Sequence, residues 1–390
     1  MTGWRSRRGG PIAGLSDMTD GGAEARIDTF DWSLMPREKK KAATETVEVI
    51  DLSAVSQPID GDASGKNLLS MHQLSADDIA IYLDEAYAAE RAIRDPERRG
   101  VPLLPRAVMK AIMRQPSTRT GGSCTSAMRK LGGSAELISG MSSSSEAKGE
   151  SLADSWVAFA TQADLLGIRT AENGGPAFAA QVIAKAVEYG QLAQVVPVIN
   201  LGDGHNEHPT QALGDLFTVH KKFEHFDGLV ITVVGDQERY RAHHSLMIGA
   251  ATLGMKIVAV ESPAARVPRA LVELLGDRLT RTGDLDAAMH ETDVLYLGRN
   301  PDEYTGEDPA EIVRAEQLAR DYASWIVDYD RIQQMAPDSM VLHPRPRRDE
   351  LDPSVDSDPR MKDVEQMANM IPMRMAIIAR HLGASIARSA

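Results

Sequence analysis

The sequence predicts an α/β protein of two doubly wound parallel-sheet domains joined by hinge helices. Short apolar runs of strand length alternate with stretches whose apolar residues recur at helical spacing, and this alternation occurs in two separate series. A turn at Phe226-Asp-Gly228 separates the series, which places the hinge near residues 208–226. The polar motifs follow directly on strand-like runs, and parallel sheets bind ligands at the carboxyl ends of their strands. A chain of 390 residues has room for two domains of ordinary size.

Taken in order, residues 1–62 are polar and punctuated by Gly9-Gly10-Pro11, Asp20-Gly21-Gly22 and the basic run Arg37–Lys41. They are expected to form a disordered N-terminal extension with a short strand at Val47–Leu52. Ser75, followed by Asp77 and Asp78, caps a helix. In the first series, strands are expected at Ala107–Met113, Ala135–Ile138, Asp164–Ile168 and Val195–Asn200. Helices are expected over Gly121–Leu131, from Ser151, over Ala177–Tyr189 and from Pro209, a favoured first helical position. The second series has strands at Leu229–Val234, Lys256–Val260, Asp293–Leu297 and Ser339–Leu342, with a helix over Ala242–Leu253.

Composition narrows the function. Hydrophobic residues make up 43% and charged residues 25%, enough apolar material for a sizeable core. A net charge of −13 argues against nucleic-acid binding and against docking on anionic membranes, so a function with anionic ligands needs locally clustered cations. The single cysteine, Cys124, precludes an internal disulfide and reads as a small core residue. No apolar run reaches the roughly 18 residues of a membrane span, and no apolar segment follows Arg5, Arg7 and Arg8 as in a secretory signal. A cytoplasmic location is expected.

The chemistry concentrates after the strands. Gln115-Pro-Ser-Thr-Arg-Thr120 lies where a strand runs into a helix, so Ser117, Thr118, Arg119 and Thr120 surround unpaired first-turn amides and suit a phosphate-like anion. Arg169 ends the third strand, and Gly202-Asp-Gly204 with His208-Pro-Thr-Gln211 follows the fourth. Arg241, Arg299 and His343-Pro-Arg-Pro-Arg347 hold the same position in the second series. Taken singly these are ordinary features: a Ser/Thr helix cap, turns and hydrogen-bonded histidines. Together they describe an anion cleft built from both domains, without a metal-ligand cluster, a carboxylate pair, a Ser-His-Asp set or a dinucleotide fingerprint.

Pro116–Thr120, Ser144 to Leu152, Asn200 to Phe217, His343-Pro-x-Pro-Arg347 and Gln366 to Ala376 resemble, in order, the motifs of the aspartate/ornithine carbamoyltransferase family. The likeness spans roughly residues 66–386 and is nearer the aspartate branch, because His343-Pro-x-Pro-Arg347 is like that branch's H-P-L-P-R and lacks the cysteine that the ornithine branch has in this motif. The resemblance implies transfer of the carbamoyl group of carbamoyl phosphate to an amine, L-aspartate foremost, with no metal or organic cofactor. Ser117, Thr118, Arg119, Thr120 and Arg169 would hold the phosphate; Thr120, Arg169 and His208 would stabilise the oxyanion. Gln211 and the backbone carbonyls of Pro344 and Arg345 would accept from the carbamoyl N–H₂. Arg241 and Arg299 would clamp the acceptor's carboxylates. Ser144 and Lys148 would enter from a neighbouring copy, which implies a homotrimer with shared sites. The departing phosphate would take the amine's proton. A last helix over 362–390 would return to the first domain, 63–210, leaving 211–361 as the acceptor domain.

Departures fall mainly on the acceptor side. Gly121 stands where the family usually has a second arginine, and Ala147 where a second lysine can stand. Pro301 replaces a glutamine, Arg345 a leucine, and Met370 a glycine, this last expected to affect packing only. Two other readings stay open: a different anionic or ureido-type acceptor, or a silent anion-binding scaffold.

Overall fold

The computed structural model describes residues 55–139, 150–299 and 309–389. The strand expected at Val47–Leu52 and most of the expected extension lie outside them. Residues 55–62 correct the extension's boundary. Val55 and Ile59 are buried, and the Lys66 ammonium donates to the carbonyls of Pro58 (3.0 Å) and Ile59 (2.7 Å). Two apolar anchors in an otherwise polar stretch are too sparse to read as periodicity.

Two parallel sheets form the body. The first domain contains α1 (Ala76–Arg94), β1 (Val108–Met113), α2 (Thr118–Lys130), β2 (Ser134–Ser139), α3 (Leu152–Ala160), β3 (Leu165–Thr170), α4 (Gly175–Glu188) and β4 (Val198–Asp203). Its strands pair in the order β2-β1-β3-β4, all parallel. Helix α5 (Pro209–Phe223) leads to the second domain. There β5 (Val230–Gly235), α6 (Arg241–Thr252), β6 (Lys256–Glu261), α7 (Arg269–Leu275), β7 (Leu279–Thr282), α8 (Leu285–Met289) and β8 (Val294–Leu297) follow. Helices α9 (Pro309–Ser324) and α10 (Tyr329–Ile332), strand β9 (Met340–Leu342) and helix α11 (Asp363–His381) complete the chain. The second sheet runs β7-β6-β5-β8-β9, again all parallel. The architecture is the one that the two alternating series predict.

Capping explains where α1 begins. Ser75 Oγ accepts from Asp78 N at 3.1 Å, and Asp78 Oδ2 accepts from Ser75 N at 2.9 Å. The long apolar runs of β5 and β8 are buried because helices cover both faces of the sheet.

Helix α5 is buried along most of its length, and α11 packs against α1, α2 and α5. His381 Nε2 lies 2.9 Å from Tyr82 OH, and the His381 carbonyl accepts from Gly65 N at 3.0 Å, so the chain's last helix closes on its first. One apolar cluster runs from Met109 and Leu131 through Leu216 and Phe217 to Val233 and Met373, continuous across the hinge. Burying each such side chain contributes about 1.5–3 kcal/mol. The loops after β1, β3, β4, β5, β8 and β9 therefore face one cleft, held on a packed base.

Candidate active site

The cleft encloses about 710 Å³ between the two sheets. Ser117, Thr118, Arg119, Thr120, Arg169 and His208 line it from the first domain and Gln211 from the connecting helix α5; Arg241, Arg299, Pro344 and Arg345 face them from the second. Every sequence-predicted site residue among the described residues is brought to this one place. Ser144 and Lys148 lie outside the described residues, as do Ala147 and Pro301.

Ser117 is the N-cap of α2, and its hydroxyl accepts from Thr120 N at 3.4 Å. The remaining first-turn amides and the hydroxyls of Thr118 and Thr120 stay at the cleft wall, an anion site at a positive helix end. Gly121 begins the part of the helix that touches β2. A Cβ there would come within 2.6 Å of Leu137 Cδ1, the tip of an exposed side chain that can move aside, so local packing does not explain the missing arginine.

Arg169 reaches across Gly202 and donates from Nη1 to the Leu201 carbonyl at 3.3 Å. Gly202 has φ of +130°, and a Cβ on it would stand 2.7 Å from Arg169 Nη1, so glycine both permits the turn and leaves the guanidinium its place. His208 caps α5 with its backbone, and its amide donates to Ser245 Oγ at 2.8 Å. Thr210 Oγ1 lies 3.4 Å from His208 Nδ1. Burial, followed by the charges of Arg169, Arg374 and Arg241, holds His208 well below the usual imidazole range. It is therefore neutral, and in the tautomer whose Nδ1 accepts from the Thr210 hydroxyl the Nε2–H is left as a donor. That suits it to polarise a carbonyl oxygen and unfits it to act as a cation.

On the facing side, Arg241 crosses the cleft mouth. Its Nη1 donates to the Thr170 carbonyl at 3.3 Å and its Nη2 donates to Gln115 Oε1. Arg299 follows β8, and its carbonyl accepts from Tyr322 OH at 3.0 Å, while that same hydroxyl accepts from Asp236 N at 2.9 Å. Arg239 is paired bidentately with Glu311 at 2.7 and 2.8 Å, and Arg314 binds Asp236 at 2.9 Å. Helix α9 thus fastens the loops that present both acceptor-side arginines.

The loop after β9 is locked by His343. Its Nδ1 accepts from Arg345 N at 2.9 Å and its Nε2 faces Glu350 Oε1 at 2.8 Å, which fixes the Nε2–H tautomer in the neutral ring. Arg345 takes a left-handed backbone (φ +54°), and its guanidinium is paired with Asp363 of α11. The additional guanidinium expected beside the acceptor is therefore neutralised within the chain.

Sequence reasoning missed Gln115 as the partner of Arg241, Tyr240 on the cleft wall, and Arg374. Arg374 is 2% exposed and lines the cleft; Nη1 donates to Ser123 Oγ, while Nε and Nη2 have no hydrogen-bond partner among the described residues. A buried, half-satisfied guanidinium is strained by desolvation and is suited to an incoming anion. Its signal was an arginine inside the apolar run Met370–Ala379. Met370 corrects a second expectation. It packs over Gly214, where an added Cβ would meet Met370 Cε at 2.2 Å, but it also lines the cleft. Burial, with the neighbouring Arg299 and Arg345 charges, lowers Arg119 from the usual arginine value, partly countered by Tyr240. The arginines are crowded together, and a multiply charged ligand relieves that repulsion.

Fold and geometry together define a two-domain enzyme whose cleft handles two anionic substrates at strand carboxyl ends. Residues 66–221 match the family described as aspartate/ornithine carbamoyltransferase, carbamoyl-P binding domain, and residues 227–380 match its Asp/Orn binding domain. The chain belongs to the aspartate/ornithine carbamoyltransferase family. It is 33% identical over 322 residues to the aspartate carbamoyltransferase catalytic subunit of Thermoplasma volcanium, covering 82% of this chain and 98% of that protein. The corresponding subunit of Thermococcus gammatolerans is 33% identical over 325 residues, covering 83% and 99%. Among solved structures, the aspartate transcarbamoylase of Trypanosoma cruzi in complex with carbamoyl phosphate and aspartate superposes with a TM-score of 0.75 at 31% identity, over 83% of this chain and 99% of that one.

Proposed function

We propose that this protein transfers the carbamoyl group of carbamoyl phosphate to the amine of L-aspartate, giving N-carbamoyl-aspartate and phosphate. The observation that carries the proposal is the assembly, in one cleft, of a phosphate-binding helix start and two acceptor-side arginines around a neutral, donating His208. The similar Trypanosoma cruzi enzyme has been solved with both these substrates and with N-carbamoyl-aspartate and phosphate.

The first-turn amides of α2, the hydroxyls of Ser117, Thr118 and Thr120, and the guanidinium groups of Arg119 and Arg169 hold the phosphate. His208 Nε2–H, with Thr120 and Arg169, points at the carbonyl oxygen and stabilises its charge as the amine attacks. Gln211 and the carbonyls of Pro344 and Arg345 accept from the carbamoyl N–H₂. Arg241 and Arg299 hold the two acceptor carboxylates, Arg241 exchanging Gln115 for the ligand. As the C–O bond to phosphate breaks, the leaving phosphate takes the amine's proton, so the chemistry needs no separate protein base. The pairing of Arg345 with Asp363 supports an ordinary dicarboxylate over a more highly charged acceptor.

Ser144 and Lys148 complete the site of an adjacent copy in a cytoplasmic homotrimer serving pyrimidine biosynthesis. Residues 63–210 with the helix over 362–390 form the carbamoyl-phosphate half, and residues 211–361 the acceptor half. Steady-state assay of the purified protein with carbamoyl phosphate and a panel of amino acids, alongside its mass in solution, tests all of this. Turnover with aspartate by a trimer is the expected result. Absence of carbamoyl-phosphate-dependent product with every amine overturns the activity, and full turnover by a monomer overturns the shared site.

A further inference from the structure

One buried carboxylate touches no part of the cleft yet holds three of its walls. Asp215 lies one turn after Gln211 on α5 and has no solvent exposure. Its Oδ1 accepts from Gln211 Nε2 at 2.8 Å and from Gln366 Nε2 at 2.7 Å, and its Oδ2 faces Tyr296 OH at 2.8 Å. Gln366, on α11, uses its own Oε1 to accept from His343 N at 2.9 Å. Tyr296 lies on β8, the strand that leads to Arg299.

We infer that Asp215 is a positioning residue for carbamoyl recognition: it fixes which end of the Gln211 amide faces the cleft. The inference rests on the carbamoyl-transfer reading above. A side-chain amide has a donor end and an acceptor end of nearly the same size, and either fits the same space. An oxygen that only accepts removes the ambiguity by taking the –NH₂ end, which leaves Gln211 Oε1 toward the cleft. A carbamoyl group presents an –NH₂ there, so the orientation decides between a hydrogen bond and two donors in opposition. Through Gln366 the same oxygen fixes the His343 amide, and with it the start of the Pro344–Arg345 carbonyls that face the same –NH₂. The arrangement tolerates either charge state. Burial pushes Asp215 up to about 7, against the hydrogen bonds from Gln366, Tyr296 and Gln211. A proton on the carboxyl sits on Oδ2 against the Tyr296 oxygen, and Oδ1 accepts in both forms.

The test uses ligands that differ at one group: carbamoyl phosphate, acetyl phosphate with a methyl in place of –NH₂, and inorganic phosphate. Dissociation constants are measured by calorimetry for the full-length protein. The wild type binds carbamoyl phosphate more tightly than acetyl phosphate. Asp215→Ala, which removes the oxygen that holds the –NH₂ end of Gln211 and lets that amide turn, lowers this preference by roughly tenfold, the scale of one hydrogen bond to a charged group. Phosphate affinity does not change. In Gln211→Ala the preference is already lost, and adding Asp215→Ala lowers it no further. If Asp215→Ala does not fold, Asp215→Leu, which fills the space without an acceptor, is measured in its place and the same loss is expected. An unchanged preference in a folded variant, or an equal loss for all three ligands, overturns the positioning role. A wild type that does not bind carbamoyl phosphate overturns the underlying activity instead.

Discussion

At the scale of single residues, the site depends on guanidinium groups whose surroundings set their tasks. Arg345 is spent on Asp363, Arg241 is held by Gln115 across the cleft, and Arg119 sits exposed to the cleft among other cations. Arg119 thus has the most to gain from a phosphate. Arg119→Ala should cost roughly 1.5–3 kcal/mol of carbamoyl-phosphate binding, the range for a hydrogen bond to a charged group. Titration calorimetry measures it, and an unaltered dissociation constant would remove Arg119 from the phosphate site. The residues legible in the sequence were those in dense motifs at strand ends, because strand-to-helix turns expose amides and polar side chains together. Gln115 and Arg374 were illegible in their roles for a different reason. Their function comes from which distant segment they face, and no local spacing encodes the approach of α11 to α2.

At the scale of elements, apolar β-branched runs such as Val230–Val234 declared themselves, since both faces of a central parallel strand are buried. Strand β7 did not: it has four residues at the sheet edge, includes Arg281, and is largely open to solvent. Helix α11 was recognised only through family motifs, and its docking adds a titratable lock. His381 Nδ1 donates to the Lys66 carbonyl at 2.7 Å, and its Nε2 accepts from Tyr82 OH at 2.9 Å, a pairing that requires the neutral ring. Burial lowers His381 to about 4. A depressed folded value means that the stabilisation is complete above the unfolded histidine value near 6.5 and is lost as pH falls toward 4. Between pH 7 and pH 5 this one residue should remove about 2 kcal/mol of stability, by proton linkage. His381→Gln keeps a donor and an acceptor without the titration. Its urea-unfolding free energy should fall less than the wild type's over that interval, and parallel pH curves would contradict the assignment.

At the scale of the whole molecule, an acidic chain of net charge −13 gathers arginines from five strand ends and the last helix into one interdomain cleft. Each half offers part of a site, and the continuous apolar base under the hinge lets the halves approach without losing their packing. A ligand that spans both halves should therefore stabilise the fold more than its separate pieces do, because it engages the phosphate helix and the acceptor arginines at once. N-(phosphonacetyl)-L-aspartate, the compound bound in one Trypanosoma cruzi structure, is such a ligand. Ligand linkage gives about 4 kcal/mol of added stability at a thousandfold excess over the dissociation constant, against about 2.7 kcal/mol at a hundredfold. At equal concentrations the rise in melting temperature should increase from inorganic phosphate to carbamoyl phosphate to the bisubstrate compound. The increments should shrink at high salt, since the cleft is partly open and its charges are screened. A bisubstrate shift no larger than that of phosphate would mean that Arg241 and Arg299 do not act together with the Ser117–Thr120 helix start.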